Sequence, residues 1–233
     1  VRSVLQLSLL SYILVPIFKA NEYYVVLPYC IFMTAFSALE ADTRQSFTYN
    51  GMLLHAFGSI FVASSTVMLY GVVVLLKLDP LWDAHYVIPI FGMLLGNSLT
   101  SISVALSTSL EEFAQRHDQI NFRLSRGADK WEASKPILQR AIKIGTTPLI
   151  NQMSVAGLVA IPGMMTGQIL GGTPPVQAAR YQITVLFLIG ASAALSSCCI
   201  FVLMVNALFD SNLCLKPDFL RKKTKFGSSF QMI

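Results

Sequence analysis

Within one apolar stretch, Pro162 and Gly163 are followed by Met164, Met165, Thr166 and Gln168. Proline removes a backbone N–H and glycine a side chain, and a helix broken this way in lipid survives only where protein or a water-lined cavity satisfies the freed groups. Thr166 and Gln168 add polar contacts there, so the chemistry on offer is solute binding at mid-membrane. The adjacent thioethers of Met164 and Met165 are soft ligands that suit some transition metals. A kinked helix packed without any ligand is the competing reading, with Gly163, Gly167, Gly171 and Gly172 permitting close approach. A second polar group, Asn97, Ser98, Thr100, Ser101 and Ser103, lies in another apolar stretch. Serine and threonine in lipid usually bond to their own backbone or to a neighbouring helix, but an unpaired amide there is costly, which makes Asn97, with Ser98, a pathway-lining expectation.

Other reactive side chains are scattered. Glu40, Asp42, Glu111 and Glu112 fall near the inner ends of spans, either as solvated helix ends or as an acidic vestibule that concentrates cations. Asn151 and Gln152 mark an interface. Arg180 is placed to pair with Asp79 or Asp83 across two outer loops. Cys30, Cys198, Cys199 and Cys214 lie in or beside spans and read as small apolar packers rather than a disulfide framework. His55, His85 and His117 have no ligand spacing, so a metal site stays unassigned.

No catalytic constellation is visible. The chain lacks a Gly-x-x-x-x-Gly-Lys phosphate loop, and Leu124-Ser125-Arg126-Gly127 matches an ATPase signature only superficially. No nucleophile elbow frames its serines. The chain is read as no enzyme; energy from ATP would have to come from a second polypeptide, with no cofactor bound here.

The elements that must position these residues are membrane helices. Charged residues make up 12% of the chain, against about 25% in soluble proteins. Apolar runs at Val4 to Phe18, Tyr23 to Leu39, Met52 to Leu76, Tyr86 to Leu106, Pro148 to Leu170 and Ile183 to Phe209 mostly reach the ~20 residues that a spanning helix needs. The expected fold is all-α: a polytopic helical bundle with about six spans in this chain. The first run is short and the sequence opens on Val1, so an upstream continuation with a seventh span is expected. A signal peptide competes for this start, but Phe18-Lys19-Ala20-Asn21 is a poor cleavage site.

Lysine and arginine set the orientation. The stretch from Leu110 to Lys143 carries seven of the 17, the tail five (Lys216, Arg221, Lys222, Lys223, Lys225), and Arg2 and Arg44 join them on the inner side; only Lys19, Lys77 and Arg180 fall outside. Residues 1–209 are therefore read as a transmembrane domain with a cytosolic loop at 108–147, and 210–233 as a basic cytosolic tail that is disordered or rests on anionic headgroups. The same asymmetry explains the net charge of +5 with no nucleic acid as partner.

Capping rules parse the loop. Helix from Ser109 should stop at Gly127, a residue that tolerates positive φ. Asp129 and Glu132 stand in capping-box spacing for a new helix. Pro136 is expected to break that helix, leaving a short transverse helix over Lys130 to Lys135 that presents Trp131, and to let another begin. Trp131 is either an aromatic anchor for a partner's groove or an interfacial tryptophan.

This loop resembles the coupling loop of ABC transporter permeases. Gly127 and Ile137 keep the family's Gly-to-Ile spacing, although Asn121-Phe122-Arg123 replaces Glu-Ala-Ala and the Leu-Pro ending is absent. The run Gly157 to Gly172, Gly-Leu-Val-Ala-Ile-Pro-Gly-Met-Met-Thr-Gly-Gln-Ile-Leu-Gly-Gly, with Ala178-Ala179-Arg180-Tyr181-Gln182-Ile183, resembles more specifically the iron-export permeases of bacteria and the aluminium-tolerance membrane subunits of plants. Ile88-Pro89-Ile90, Gly96-Asn97-Ser98-Leu99, Gly127-Ala128 and Trp131-Glu132-Ala133 extend the likeness. Ser125-Arg126-Gly127 and Asp129 depart from the family's usual Ala-Leu-Gly and Thr, and the capping logic survives both. The resemblance implies an ABC permease subunit that pairs with a separate ATPase through Gly127, Asp129, Trp131, Glu132 and Ile137, forms a homodimer in the bilayer, and exports metal ions or a solute linked to metal tolerance. Its pathway would use Asn97, Ser98, Pro162, Gly163, Met164, Met165, Thr166 and Gln168. A self-sufficient ion-coupled carrier or channel, and a scaffold that recruits a cytosolic protein through Trp131, are the alternatives.

Overall fold

A computed structural model describes residues 2–159, 161–209 and 221–222. The described residues are overwhelmingly helical, as a chain solvated by lipid must be, because a helix satisfies its own backbone. Helix α1 (Arg2–Ala20) and α2 (Tyr23–Thr43) are followed by a two-residue strand β1 (Phe47–Thr48). Helix α3 (Met52–Tyr70) runs on through a π-helical stretch at Gly71–Leu76. Helices α4 (Ala84–Gln115), α5 (His117–Ser125), α6 (Lys130–Val155), α7 (Gly163–Leu170) and α8 (Pro175–Leu208) complete the bundle. Strand β2 (Arg221–Lys222) pairs antiparallel with β1, which puts the α2–α3 connection and this part of the tail on one face. The remainder of the expected basic tail lies outside the described residues.

Among the described residues, five helices are long and apolar enough to cross a membrane: Ser3–Ala20, Tyr23–Thr43, Met52–Leu76, Ala84–Gln115 and Pro175–Leu208. The all-α polytopic fold is thus present, and the difference from six spans is confined to one segment. Pro148 to Leu170 is not a continuous helix. Helix α6 ends at Val155, the chain loses helical geometry, and α7 resumes at Gly163.

Helices α4 and α8 form the central pair, flanked by α2, α3 and α6. Leu94, Leu95, Ile102, Leu106 and Phe113 of α4 are fully buried, as are Val185, Ile200, Met204 and Leu208 of α8. Helix α6 closes on α4 at Gly145, where a Cβ would stand 3.0 Å from the Ser101 carbonyl oxygen. Helix α1 is peripheral, with an outer face of Val4, Leu7 and Tyr12 exposed for lipid.

Pro136 does not break the loop helix, contrary to the local rule. It sits inside the 26-residue α6, and so does Pro148. Ala133, Ile137, Ala141, Gly145 and Leu149 are buried along α6 at four-residue spacing. That continuous stripe packs on α4, and its tertiary contact keeps the helix continuous past each missing N–H.

Candidate functional site

Two regions carry the chemistry. The first is the polar loop. Helix α4 ends at Gln115, α5 follows after Arg116, and Gly127 takes φ +88° to turn the chain. The Gly127 N–H donates to the Leu124 carbonyl at 3.0 Å and the Ala128 N–H to that of Arg123 at 3.2 Å, a Schellman closure. Asp129 then caps α6, and its N–H donates to Glu132 Oε2 at 3.3 Å. Gly127, Asp129 and Glu132 thus form one local turn. Trp131 follows on the first turn of α6, 38% exposed. There is no separate transverse helix from Lys130 to Lys135; the only short helix between α4 and α6 is α5. Ile137 faces the other way, buried in the core.

Long side chains tie this hairpin to the bundle. Glu112 of α4 is mostly buried and accepts from Arg116 Nε and, on α6, from Arg140 Nη1, both at 2.9 Å. Lys130 Nζ donates to Asn206 Oδ1 of α8 at 2.9 Å. The hairpin therefore holds two membrane helices at once. Neither contact was foreseen, because each partner pair is close only after the helices pack. Glu40 is likewise paired, with Arg44 at 3.1 Å. Two of the four carboxylates near the inner ends of spans, Glu40 and Glu112, are therefore paired with arginine. Arg180 enters no ion pair among the described residues; Asp83 instead accepts from the His85 backbone N–H at 3.1 Å and caps α4. On the same face as Arg44, burial pushes the Tyr49 phenol well above its ordinary pKa, with the charge of Asp42 adding to the effect.

The second region is the broken segment. Ala156 is extended, Gly157 adopts φ +85°, and Pro162 is extended as the residue before α7. Thr166 closes the first turn of α7, its N–H at 3.0 Å and its Oγ1 at 3.2 Å from the Pro162 carbonyl oxygen. Gly172, at φ +91°, turns the chain into α8, and Pro175 begins that helix. Between the break, α7 and the start of α8 lies a cleft of about 410 Å³, lined by Met153, Gly157, Pro162, Met165, Gln182 and Phe187 among others.

The expected pathway residues separate into two sets. Pro162 and Met165 line the cleft, Gly163 and Thr166 lie on the exposed side of α7, and Met164 packs against the core. Gln168 Oε1 is buried without a partner. Asn97 and Ser98 line no part of it. Asn97 Nδ2 donates to its own helix at the Met93 carbonyl, 2.9 Å away. Ser98 is fully buried, and its hydroxyl shares a 2.8 Å hydrogen bond with Ser192 of α8. Ser192 also meets Ser64 of α3 at 3.2 Å, and one turn along α4 Ser101 meets Ser197 at 2.8 Å. These hydroxyls form a ladder that joins three helices. Ser64, Ser192 and Ser197 were not singled out from the sequence, although serine in a span is itself a signal for interhelical bonding. Gln182 was visible only as part of a motif. It is 7% exposed, and its Oε1 is buried with no partner, a state that costs about 1–3 kcal/mol.

Among the described residues no three His, Cys, Asp or Glu side chains gather closely enough to hold a metal ion. Cys30, Cys198 and Cys199 are free thiols, and Cys214 lies outside the described residues.

The fold and the broken segment can be set beside known proteins. The model of an uncharacterised protein family (UPF0014) matches residues 1–209. The UPF0014 membrane protein YjkA of Bacillus subtilis is 34% identical over 220 residues, covering 94% of this chain and 86% of its own length. The "Probable iron export permease protein FetB" of Escherichia coli is 29% identical, with 95% and 84% covered. Protein ALUMINUM SENSITIVE 3 of Arabidopsis thaliana is 31% identical, with 84% and 70% covered. No solved structure matches. With several apolar helices and membrane-protein relatives along nearly its whole length, this is an integral, multi-pass membrane protein that belongs to the UPF0014 family.

Proposed function

We propose that this chain is the membrane-spanning permease subunit of an ABC-type transporter, and that it carries solute rather than transforming it. A separate ATPase subunit docks on the α5–α6 hairpin and binds the ATP, two copies of the chain build the membrane path, and the cargo is a metal ion or a solute tied to metal tolerance, moved by export. The names of two relatives support the last point, one an iron export permease and the other a protein of aluminium sensitivity.

The observation that carries the reading is the attachment of the hairpin. Glu112 binds α6 to α4, and Lys130 binds it to α8. A displacement applied at the exposed Trp131 is thereby delivered to the central helix pair, and packed helices respond by discrete shifts rather than by bending. Gly127, Asp129 and Glu132 shape the turn that presents Trp131, while Ile137 anchors α6 behind it.

Tagged full-length protein isolated from its native membranes in mild detergent tests this directly. An ATPase subunit is expected to copurify and to be lost from Trp131→Glu, because a buried carboxylate in an aromatic socket is unfavourable. A folded protein that brings no ATPase, and that transports by itself after reconstitution, overturns the proposal in favour of an ion-coupled carrier.

A further inference from the structure

The non-helical chain between Val155 and Gly163 lies at membrane depth. Ser64, in the middle of the Met52–Leu76 span, bonds Ser192 of α8, which sets the bilayer midplane near Ser192. Phe187 and Ile183, which line the cleft together with Gly157 and Pro162, lie toward the N-terminal end of α8, about 8 and 14 Å from Ser192 at the helical rise. Half of the hydrocarbon core is about 15 Å. Irregular backbone at that depth is tolerated only where protein covers it or where it lines an enclosed cavity, because lipid offers its N–H and C=O groups nothing. Pro162 supplies no side-chain cap, and among the described residues the N–H groups of Gly163, Met164 and Met165 in the first turn of α7 have no partner. The chain itself does not cover this face: Leu158 is 88% and Val159 84% exposed, with Ile161 and Leu170 exposed beside them.

The face has the form of a self-complementary contact. Leu158 and Val159 project next to the cleft of about 410 Å³, a hollow that admits such side chains. In a two-fold contact one patch serves both partners, so a projection on one copy meets a hollow on the other. Gly163 and Gly167, one turn apart on α7, leave open space, since a Cβ at either meets no other atom within 4 Å. Glycines at this spacing let helices of a bilayer approach closely. With Val176 and Phe187 of α8, the exposed apolar side chains present on the order of 800 Å², what one partner gives to a standard specific interface. We propose that the broken segment and α7 are the face on which two copies of this chain pair, Leu158 and Val159 of each filling the cleft of the other. The unpaired backbone groups of the break are then enclosed between the copies, out of reach of lipid. The inference rests on the permease reading for the presence of two copies and adds which face they share.

A photo-crosslinking residue, p-benzoylphenylalanine, placed at Leu158 or Leu170 of the full-length protein tests the contact in native membranes. Leu54 of α3 and Tyr12 of α1, both exposed, are the comparison positions. With two differently tagged copies coexpressed, irradiation should give a dimer-sized adduct carrying both tags from Leu158 and Leu170, and little from Leu54 or Tyr12. Gly167→Leu, whose new side chain meets nothing in its own chain, should cut the Leu158 adduct by roughly tenfold. Gly96→Leu, equally open on α4, should leave it at the wild-type yield. Adducts to lipid alone, adducts to a different protein, a yield unchanged in Gly167→Leu, or an equal loss in both variants each overturn the proposal. An ATPase that copurifies without the double-tagged adduct overturns the face and leaves the permease reading standing. The adduct without an ATPase leaves the pairing standing and sinks the permease reading alone.

Discussion

Along α8, Gln182 and Ser192 are ten residues apart, about 15 Å on one helix, yet their polar atoms end differently. The Ser192 hydroxyl meets Ser98 and Ser64, and no space remains around it. Gln182 lies against the broken segment with its Oε1 unpartnered and a cleft beside it. In the first region, continuous helices with small side chains approach until hydroxyls pair across them. In the second, the interruption between Val155 and Gly163 keeps a full-length helix from packing on α8, and the space stays open. Polar residues in a span act as glue where helices are whole, and Gln182 is left with an unpartnered oxygen where one is broken.

Substitutions that exchange these conditions test the contrast. The largest effect is expected at Ser192→Leu, which overfills a fully buried site and strands two hydroxyls; unfolding in mixed micelles should show a loss of about 2–3 kcal/mol. A wild-type unfolding midpoint in that variant would show that the ladder is loosely packed. Glu112→Ala comes next. It frees Arg140 and Arg116, both partly exposed, so the stability loss should stay near 1 kcal/mol, while ATPase-stimulated transport in proteoliposomes falls much further. Equal losses in both readouts would mean that Glu112 serves the fold rather than coupling. Ser192→Ala removes the hydrogen bonds without crowding and should cost about 1 kcal/mol. The smallest change is expected at Gln182→Leu, within about 0.5 kcal/mol or stabilising, because it removes a buried acceptor that has no partner. A large destabilisation there would reveal that the Gln182 amide supports the bundle.

The loop shows how far sequence reading reaches. Gly127, Asp129 and Glu132 were identifiable because their hydrogen bonds join residues within a few positions of one another, so local chemistry settles them. The interruption at Pro162 and Gly163 was identifiable for the same reason. Pro136 misled, because its effect on α6 is overridden by the stripe from Ala133 to Leu149 on α4, a surface remote in sequence. The grouping of the expected pathway residues also depended on tertiary structure: Asn97 and Ser98 share an apolar context with Met165, but helix rotation turns Ser98 toward Ser192 and leaves Met165 at the cleft.

Composition and the spacing of apolar runs alone determined that this chain is a multi-pass helical membrane protein, and its motifs determined the family. The first follows from the solvent: in lipid a spanning helix bonds its backbone within its own segment, so helices are legible wherever a run is long enough. The tertiary structure decided which side chains meet. Ser98 and Ser192 stand 94 residues apart, and Lys130 and Asn206 stand 76 apart. Such pairs depend on the rotation and crossing of whole helices, quantities set by packing across the bundle and by no local run of residues.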